Sequence, residues 1–435
     1  MNLQLSAWYL LALSIPVLII GEWTRRRISW LDHYNIPMPV VGGLLISFLF
    51  LTINLSGTAS IKFFNKVDAA WWTWLVTPEP EWIKQPEKGI NLPFLIGFFT
   101  CIGLNATWGV LRKGSWQIPI FLMISTTLAV MQNALGVTLA RAMGENPLLG
   151  LICGSLSLTG GHGTALGFAD TLVKAGFAQA ASVGAAAATF GLIFGSLVGG
   201  PLASRLIKCH DIKTPKALGT DRMTDDEAHM IEENLNEPGI IDSMRALAQQ
   251  GRRALFHLLL LAFLIKGGAW ISWGLQQAGL VFPAYMGALV LGLAVRNTLE
   301  LCECQWIDSA LVNQIGGVLL AIFLAMAMMS LDLLELATSA LPMLVILLSQ
   351  VLLISLFAYF ITYRFMGRDY DAAVMASGLC GFGLGATSNA VANMNSIAHR
   401  FGPAHRAFII VPTVGGMFVD ITNAINITWF INWLG

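Results

Sequence analysis

The sequence predicts an all-α polytopic membrane protein made of two inverted five-helix repeats, each carrying a re-entrant or broken helix. Three observations carry that expectation. Hydrophobic residues make up 56% of the 435-residue chain and charged residues only 11%, against about 25% charged in a typical soluble domain. Long apolar stretches lie on both sides of a single polar central segment. Short strings from the first half reappear, in the same order, in the second.

Taken in order, apolar spans fall near 6–23, 38–54, 91–110, 117–138 and 177–204, and then near 254–278, 281–297, 314–331, 339–363 and 407–433. At about 20 residues per crossing these read as ten full crossings. The first span is apolar before Arg25, Arg26 and Arg27, the reverse of a cleavable signal, so it is expected to be retained. The polar stretch from Lys62 to Lys88 contains Trp71, Trp72, Trp74 and Trp82, which read best as an interfacial aromatic belt. Two further stretches, about 147–172 and 371–395, are apolar enough to enter the bilayer but too rich in Gly, Ser and Thr for one continuous helix. They are expected to be re-entrant. The domain organisation that follows is an N-terminal repeat (1–207), a central cytoplasmic loop (208–253) and a C-terminal inverted repeat (254–435).

Twenty-five Lys and Arg offset twenty-five Asp and Glu, so no general basic field marks nucleic acid as a partner. Along the chain the balance disappears. With the N-terminus outside, eighteen basic residues fall on the cytoplasmic side, including Arg25–Arg27, Arg112, Lys113, Arg205–Arg253, Arg296 and Arg406. Six fall outside, and Lys266 stays within a span, where it is expected to snorkel to the cytoplasmic interface. Both termini are then periplasmic. The six cysteines are scattered and give neither a disulfide framework nor a paired metal motif.

The repeats show in three pairs of strings. MPVVGGLLIS (38–47) resembles FPAYMGALVLG (282–292), CIGLNATWGVL (101–111) resembles FLAMAMMSLDLL (323–334), and GSLSLTGGHGTA (154–165) resembles ASGLCGFGLGAT (376–387). Inverted repeats with an interrupted helix in corresponding positions mark a secondary transporter, with ligands bound near the membrane midplane where the interruptions meet. Irregular backbone at that depth survives only when buried in protein or lining a wet cavity.

The chemistry is expected in those interruptions. In the first, glycines let a ligand approach the backbone, and Ser157, Thr159 and Thr164 offer hydroxyls suited to Na⁺. His162 reads as a ligand-facing donor, a proton carrier or a packing residue. In the second, Gly383 and Gly385 permit the break, and Thr387, Ser388, Asn389 and Asn393 offer neutral oxygens and amides. Asp420 is the carboxylate set most deeply in an apolar span, and a cation is its natural partner, Na⁺ first and a proton second. Gln132, Asn133 and Asn105 lie inside spans as interhelical hydrogen bonds or cavity lining. Asp332 and Glu335 end the eighth span on the outer side.

TGGHGT (159–164), MQNALG (131–136), GFGLGAT with Ala392-Asn393-Met394, RFGPAH (400–405) and FVDITNA (418–424) together resemble the bacterial glutamate:Na⁺ symporter family, over nearly all of the chain except the Trp-rich and central loops. That resemblance implies two inverted five-helix halves with a re-entrant loop in each and Na⁺-coupled uptake of glutamate. It also implies an inner-membrane location, a homodimer and elevator-like movement. By motif it places pore-loop residues at Gly160, Gly161, His162, Gly163 and Thr164, and at Gly381, Gly383, Gly385 and Thr387. Asn423 joins Asp420, Ser157, Thr159 and Asn393 as expected Na⁺ ligands. One departure stands out: the family usually continues Thr-Pro where this chain has Thr387-Ser388, which removes a fixed bend and adds a hydroxyl.

The sequence therefore points to a secondary transporter, not an enzyme: no HExxH motif, paired intramembrane carboxylates or nucleotide loop appears. The rival readings are a transporter of the same build for another organic anion or amino acid, one coupled to H⁺, or a passive channel.

Overall fold

A computed structural model of the chain describes residues 2–29, 31, 34, 36–56, 60–64, 66–84, 86–107, 109, 116–215, 240–277, 283–304, 306–331 and 340–434. Arg112, Lys113, Asp332, Glu335, most of the central loop and parts of three repeated strings lie outside the described residues. The regular structure is almost entirely helical. Its strands form two small patches, Asn2–Leu5 running parallel to Ser60–Phe63 and Lys66–Val67 antiparallel to Lys88–Gly89.

Among the described residues, seven helices are long and apolar enough to cross a membrane. They are α1 (Ala7–Arg27), α2 (Met38–Leu55), α6 (Gln117–Ala142), α10 (Ala180–Cys209), α12 (Gly251–Gln277), α14 (Ser309–Met329) and α15 (Ala340–Phe357, continued through a π turn to Phe365). An eighth results if α18 (His405–Thr413) and α19 (Val419–Leu434), bent by 43° at the π turn Val414–Phe418, count as one span. The two other expected crossings are shorter than ten full spans would require. α5 (Leu92–Asn105) has 14 residues and α13 (Met286–Leu301) has 16, or about 21 and 24 Å at 1.5 Å per residue. The hydropathy windows had counted flanking residues that the helices do not include, such as Ala106, whose backbone is extended.

The short helices α3 (Ala70–Val76) and α4 (Glu79–Lys84) order the Trp-rich loop, and α11 (Ile240–Gln249) lies at the end of the central segment. Trp8, Trp71, Trp72 and Phe94 form a continuous run of ring contacts, and the Trp72 and Trp82 indoles donate to Ile90 O and Thr73 Oγ1. Trp71 stays 68% exposed, as an interfacial ring does.

Lys266 departs from expectation. It lies fifteen residues beyond Gly251 on α12, about 22 Å along the axis, past the middle of the helix and away from the end at which it was expected to snorkel. There its ammonium donates to Trp74 O at 2.8 Å and Thr77 O at 2.7 Å, pairs with Glu79 at 3.0 Å and sits 3.9 Å over the Trp74 ring. The two carbonyls of the Trp-rich loop and Glu79 outcompete the headgroup interface because together they give the three ammonium protons an acceptor each within reach. Glu79, outside the spans, is held below its ordinary carboxyl value by a hydrogen bond to its own backbone and then by Lys266.

The helices pack in two groups. α1, α2, α5, α12, α13 and α14 form one; α6, α10, α15 and the interrupted helices form the other. Chain from before and after the central segment contributes to both, and within the first group α2 packs on α14 while α5 packs on α13. Ser47 on α2 donates to Met328 O on α14 at 2.6 Å. The two groups meet where Phe168 stands edge-on to Tyr285 at 5.6 Å and along the surface between α14 and the first interruption.

Candidate functional site

The first interruption begins as a well-formed helix. Asn146 Oδ1 accepts from Leu148 N, and Pro147 occupies the first turn of α7 (Pro147–Leu151), where its missing N–H costs nothing. The chain then enters a π turn, Ile152–Leu156, and loses helical geometry at Gly154 (φ −94°, ψ −143°). After the turn at 157–160, α8 (Gly161–Gly167) restarts, followed by α9 (Ala169–Lys174).

The second interruption has the same plan. Asp369 caps α16 (Tyr370–Leu384), the chain leaves helical geometry at Gly385 and is extended at Ala386, and α17 (Thr387–Phe401) restarts with no side-chain cap on its first N–H groups.

The two breaks touch. Gly161 has φ +63°, and a Cβ on it would come within 3.2 Å of Gly385 O, so both conformation and clearance call for glycine. Gly191 of α10 packs as closely on the second break, since a Cβ there would overlap the Leu384 carbonyl.

Amides on neighbouring helices hold the breaks in place. Gln132 Nε2 donates to Gly383 O at 2.8 Å, and its Oε1 accepts from Thr159 Oγ1 at 2.7 Å, so one buried side chain on α6 bonds both interruptions. Asn133 Oδ1 accepts from Ser155 N, and Gln350 Nε2 of α15 donates to Gln132 O. Asn389 and Asn393 donate to Leu192 O and Gly195 O of α10, and Asn423 donates to Ser155 O. Of the alternatives left open for Gln132, Asn133 and Asn105, the interhelical bond holds for all three, Asn105 pairing with Asn313 at 2.6 Å.

A cavity of about 790 Å³ opens where the breaks meet. Of the predicted residues, Thr159, Gly160, Gly161, His162, Gly163 and Thr164 line it from the first break, and Gly385, Thr387 and Ser388 from the second, with Asp420 from α19. Gly381, Gly383, Asn389, Asn393, Asn423 and Ser157 do not line it and sit behind the breaks. Among these, Ser157 Oγ, Asn389 Oδ1 and Asn423 Oδ1 are buried without a hydrogen-bond partner, as is Ser155 Oγ. The far end of the cavity is lined by Ile240, Ser243, Gln250, Asp308 and Gln314.

Three features decide what the cavity can hold. Asp420 has neither an ion pair nor a hydrogen bond among the described residues, so its carboxylate is open to a cation. The uncapped start of α17 lies at the cavity, with Ala386, Thr387 and Ser388 in its lining, a setting that suits a carboxylate. Ser388 falls at the second helical position of α17 and brings a backbone N–H as well as a hydroxyl to this same start.

The sequence did not single out Gln350, a polar residue inside LLSQVLL that carried the same signal as Gln132, or Thr189, which had no signal within the Ala-rich run of α10.

The chain matches the family model described as sodium/glutamate symporter over residues 3–77 and 80–403. It is 37% identical over 415 residues to the sodium/glutamate symporter of Escherichia coli, covering 95% of this chain and 94% of that protein. It is also 37% identical over 426 residues to the sodium/glutamate symporter of Haemophilus influenzae, covering 98% and 96%.

Proposed function

The chain belongs to the sodium/glutamate symporter family, and from that membership we propose that it imports glutamate across the bacterial inner membrane by symport with Na⁺. The observation that carries the proposal is the meeting of two interrupted helices, with an uncapped helix start and an unpaired carboxylate, Asp420, in one cavity. An amino-acid dianion with one ammonium needs donors for its carboxylates and a cation to travel with it. The start of α17, with Thr387 and Ser388, supplies the donors, and Gly160, Gly161, Gly163 and Thr164 supply close backbone approach on the facing side.

Asp420 holds the Na⁺, with Thr159 and the freed carbonyls of the breaks as neutral partners. Ser157, Asn393 and Asn423 stand behind the cavity lining, and the unpaired oxygens of Ser157 and Asn423 favour a cation placed near them. Coupling follows from charge. Each elementary charge moved through 100 mV is worth about 2.3 kcal/mol, so carrying more than one Na⁺ with each anionic glutamate lets the membrane potential drive accumulation.

The architecture we infer is two inverted five-helix halves, 1–207 and 254–435, joined by a cytoplasmic segment, with 147–172 and 371–395 as re-entrant elements. The interleaved packing supports it, since each half gives its first three helices to one group and the rest to the other. The far end of the cavity is lined by residues from 240–250 and from the start of α14, the side that the positive-inside distribution assigns to the cytoplasm. The conformation is thus inward-facing, both termini are periplasmic, and the first packed group is the static part of a homodimer past which the second moves.

Uptake into proteoliposomes tests the function. Labelled glutamate accumulates with an inward Na⁺ gradient and not with a proton gradient alone; equal accumulation without Na⁺ would overturn sodium coupling. Failure of glutamate to accumulate while another organic anion does would overturn the substrate.

A further inference from the structure

His162 Nε2 lies 2.9 Å from Thr189 Oγ1, and that hydroxyl donates its single proton to Ala185 O, 2.9 Å away, one helical turn back on α10. A hydroxyl has one proton to give. With that proton committed to Ala185, Thr189 offers His162 only lone pairs, so both bonds form together only when Nε2 carries the hydrogen. In the neutral ring Nδ1 is then an acceptor. It has no protein partner among the described residues, is not among the buried unpaired atoms, and belongs to a ring that lines the cavity beside Gly161, where the two breaks touch. Thr189 itself stays off the cavity lining.

Resting on the glutamate reading above, we propose that Thr189 is a positioning residue that fixes His162 as the Nε2–H tautomer, so that Nδ1 accepts a hydrogen bond from the α-ammonium of the transported amino acid. Three side-chain acceptors at the far end of the cavity are already engaged. Asp308 Oδ1 caps α14 by accepting from Ala310 N and Leu311 N, Asn313 Oδ1 accepts from Asn105, and Gln314 Oε1 accepts from Gln250. Asp420 is matched to the cation. The start of α17 lies across the contact between Gly161 and Gly385, so an α-carboxylate held there places its ammonium, two bonds away, on the side of His162. Thr189 and His162 thereby select an amino acid over the dicarboxylate of the same length that lacks the amine.

The test compares glutamate with glutarate as competitors for labelled glutamate uptake in proteoliposomes, and reads the ratio of their apparent affinities. Asparagine carries an acceptor near the place of Nδ1, and glutamine one near the place of Nε2. His162→Asn keeps the preference for glutamate within about threefold, whereas His162→Gln loses at least tenfold of it, the range of one hydrogen bond to a charged group. Thr189→Val weakens glutamate and leaves glutarate unchanged; Thr189→Ser restores the ratio. Retention of the preference by His162→Gln, or equal weakening of both ligands by Thr189→Val, would overturn the proposal. Nitrogen-15 NMR of histidine-labelled protein, with His162→Ala for assignment, tests the tautomer without transport. Hydrogen on Nε2 in the wild type and a mixture in Thr189→Val are expected, and hydrogen on Nδ1 in the wild type overturns the assignment. Wild-type protein that accumulates no glutamate would instead count against the symport reading.

Discussion

Gln132 is the side chain whose replacement reports most directly on how the two breaks are joined. Gln132→Met keeps the length and removes both side-chain bonds, those to Gly383 O at 2.8 Å and from Thr159 Oγ1 at 2.7 Å. Each buried polar group left unpaired costs about 1–3 kcal/mol. The structure provides relief, because Thr159 Oγ1 also lies 3.4 Å from Gly383 O and can turn its proton there once the amide is gone. The single replacement should therefore cost about 1–2 kcal/mol, less than two orphaned groups would. Thr159→Val alone leaves Gln132 Oε1 without its donor, at about 1–3 kcal/mol. In the double variant only Gly383 O is left unpaired. The two costs then fail to add, and the double variant is less damaged than the sum by about 1–1.5 kcal/mol, toward the upper end of interhelical couplings measured in membranes. Equilibrium unfolding of the four proteins in mixed detergent and dodecyl sulfate micelles measures this. Additivity within about 0.3 kcal/mol would refute the shared bond and leave Gln132 a packing residue.

Other outcomes follow from single contacts. Lys266→Met leaves Trp74 O and Thr77 O without their donor and should lower stability by about 1–3 kcal/mol in the same unfolding assay; an unchanged midpoint would return Lys266 to a solvated role. Because Glu79 is held below its ordinary carboxyl value, its pairing with Lys266 adds stability above that value and loses it as pH falls through the depressed one; melting curves of wild type and Glu79→Gln should differ near neutral pH and converge in acid. Gly161→Ala forces a side chain into φ +63° and against Gly385 O, costing about 1–2 kcal/mol of local strain. Glutamate uptake should fall sharply, and wild-type rates would show that the breaks need not touch. Asp420→Asn should abolish the Na⁺ dependence of uptake, and an unaltered Na⁺ titration would remove Asp420 from the cation site.

Much of this molecule was legible from spacing and composition because the bilayer leaves the chain few options. With no water to satisfy the backbone, apolar runs become helices and glycine-rich interruptions become sites. That is why α1, α2 and α6 lie within a few residues of their predicted positions, and why Thr159–Thr164, Gly385, Thr387 and Ser388 stand out in the sequence alone. Hydropathy windows fared less well at α5 and α13, since an apolar residue beyond the last helical turn scores like one within it.

By itself the sequence determined the membrane setting, the helical content, the two interruptions and the short set of polar residues left at depth, because each follows from local composition against a lipid solvent. Tertiary structure alone decided which of those polar residues face the cavity and which stand behind it. It turned Lys266 toward the Trp-rich loop, bound both breaks to Gln132 and set Thr189 against His162. Those are matters of hydrogen-bond partners far apart in the chain. A donor's nearest acceptor, unlike its hydropathy, depends on where every other helix has packed.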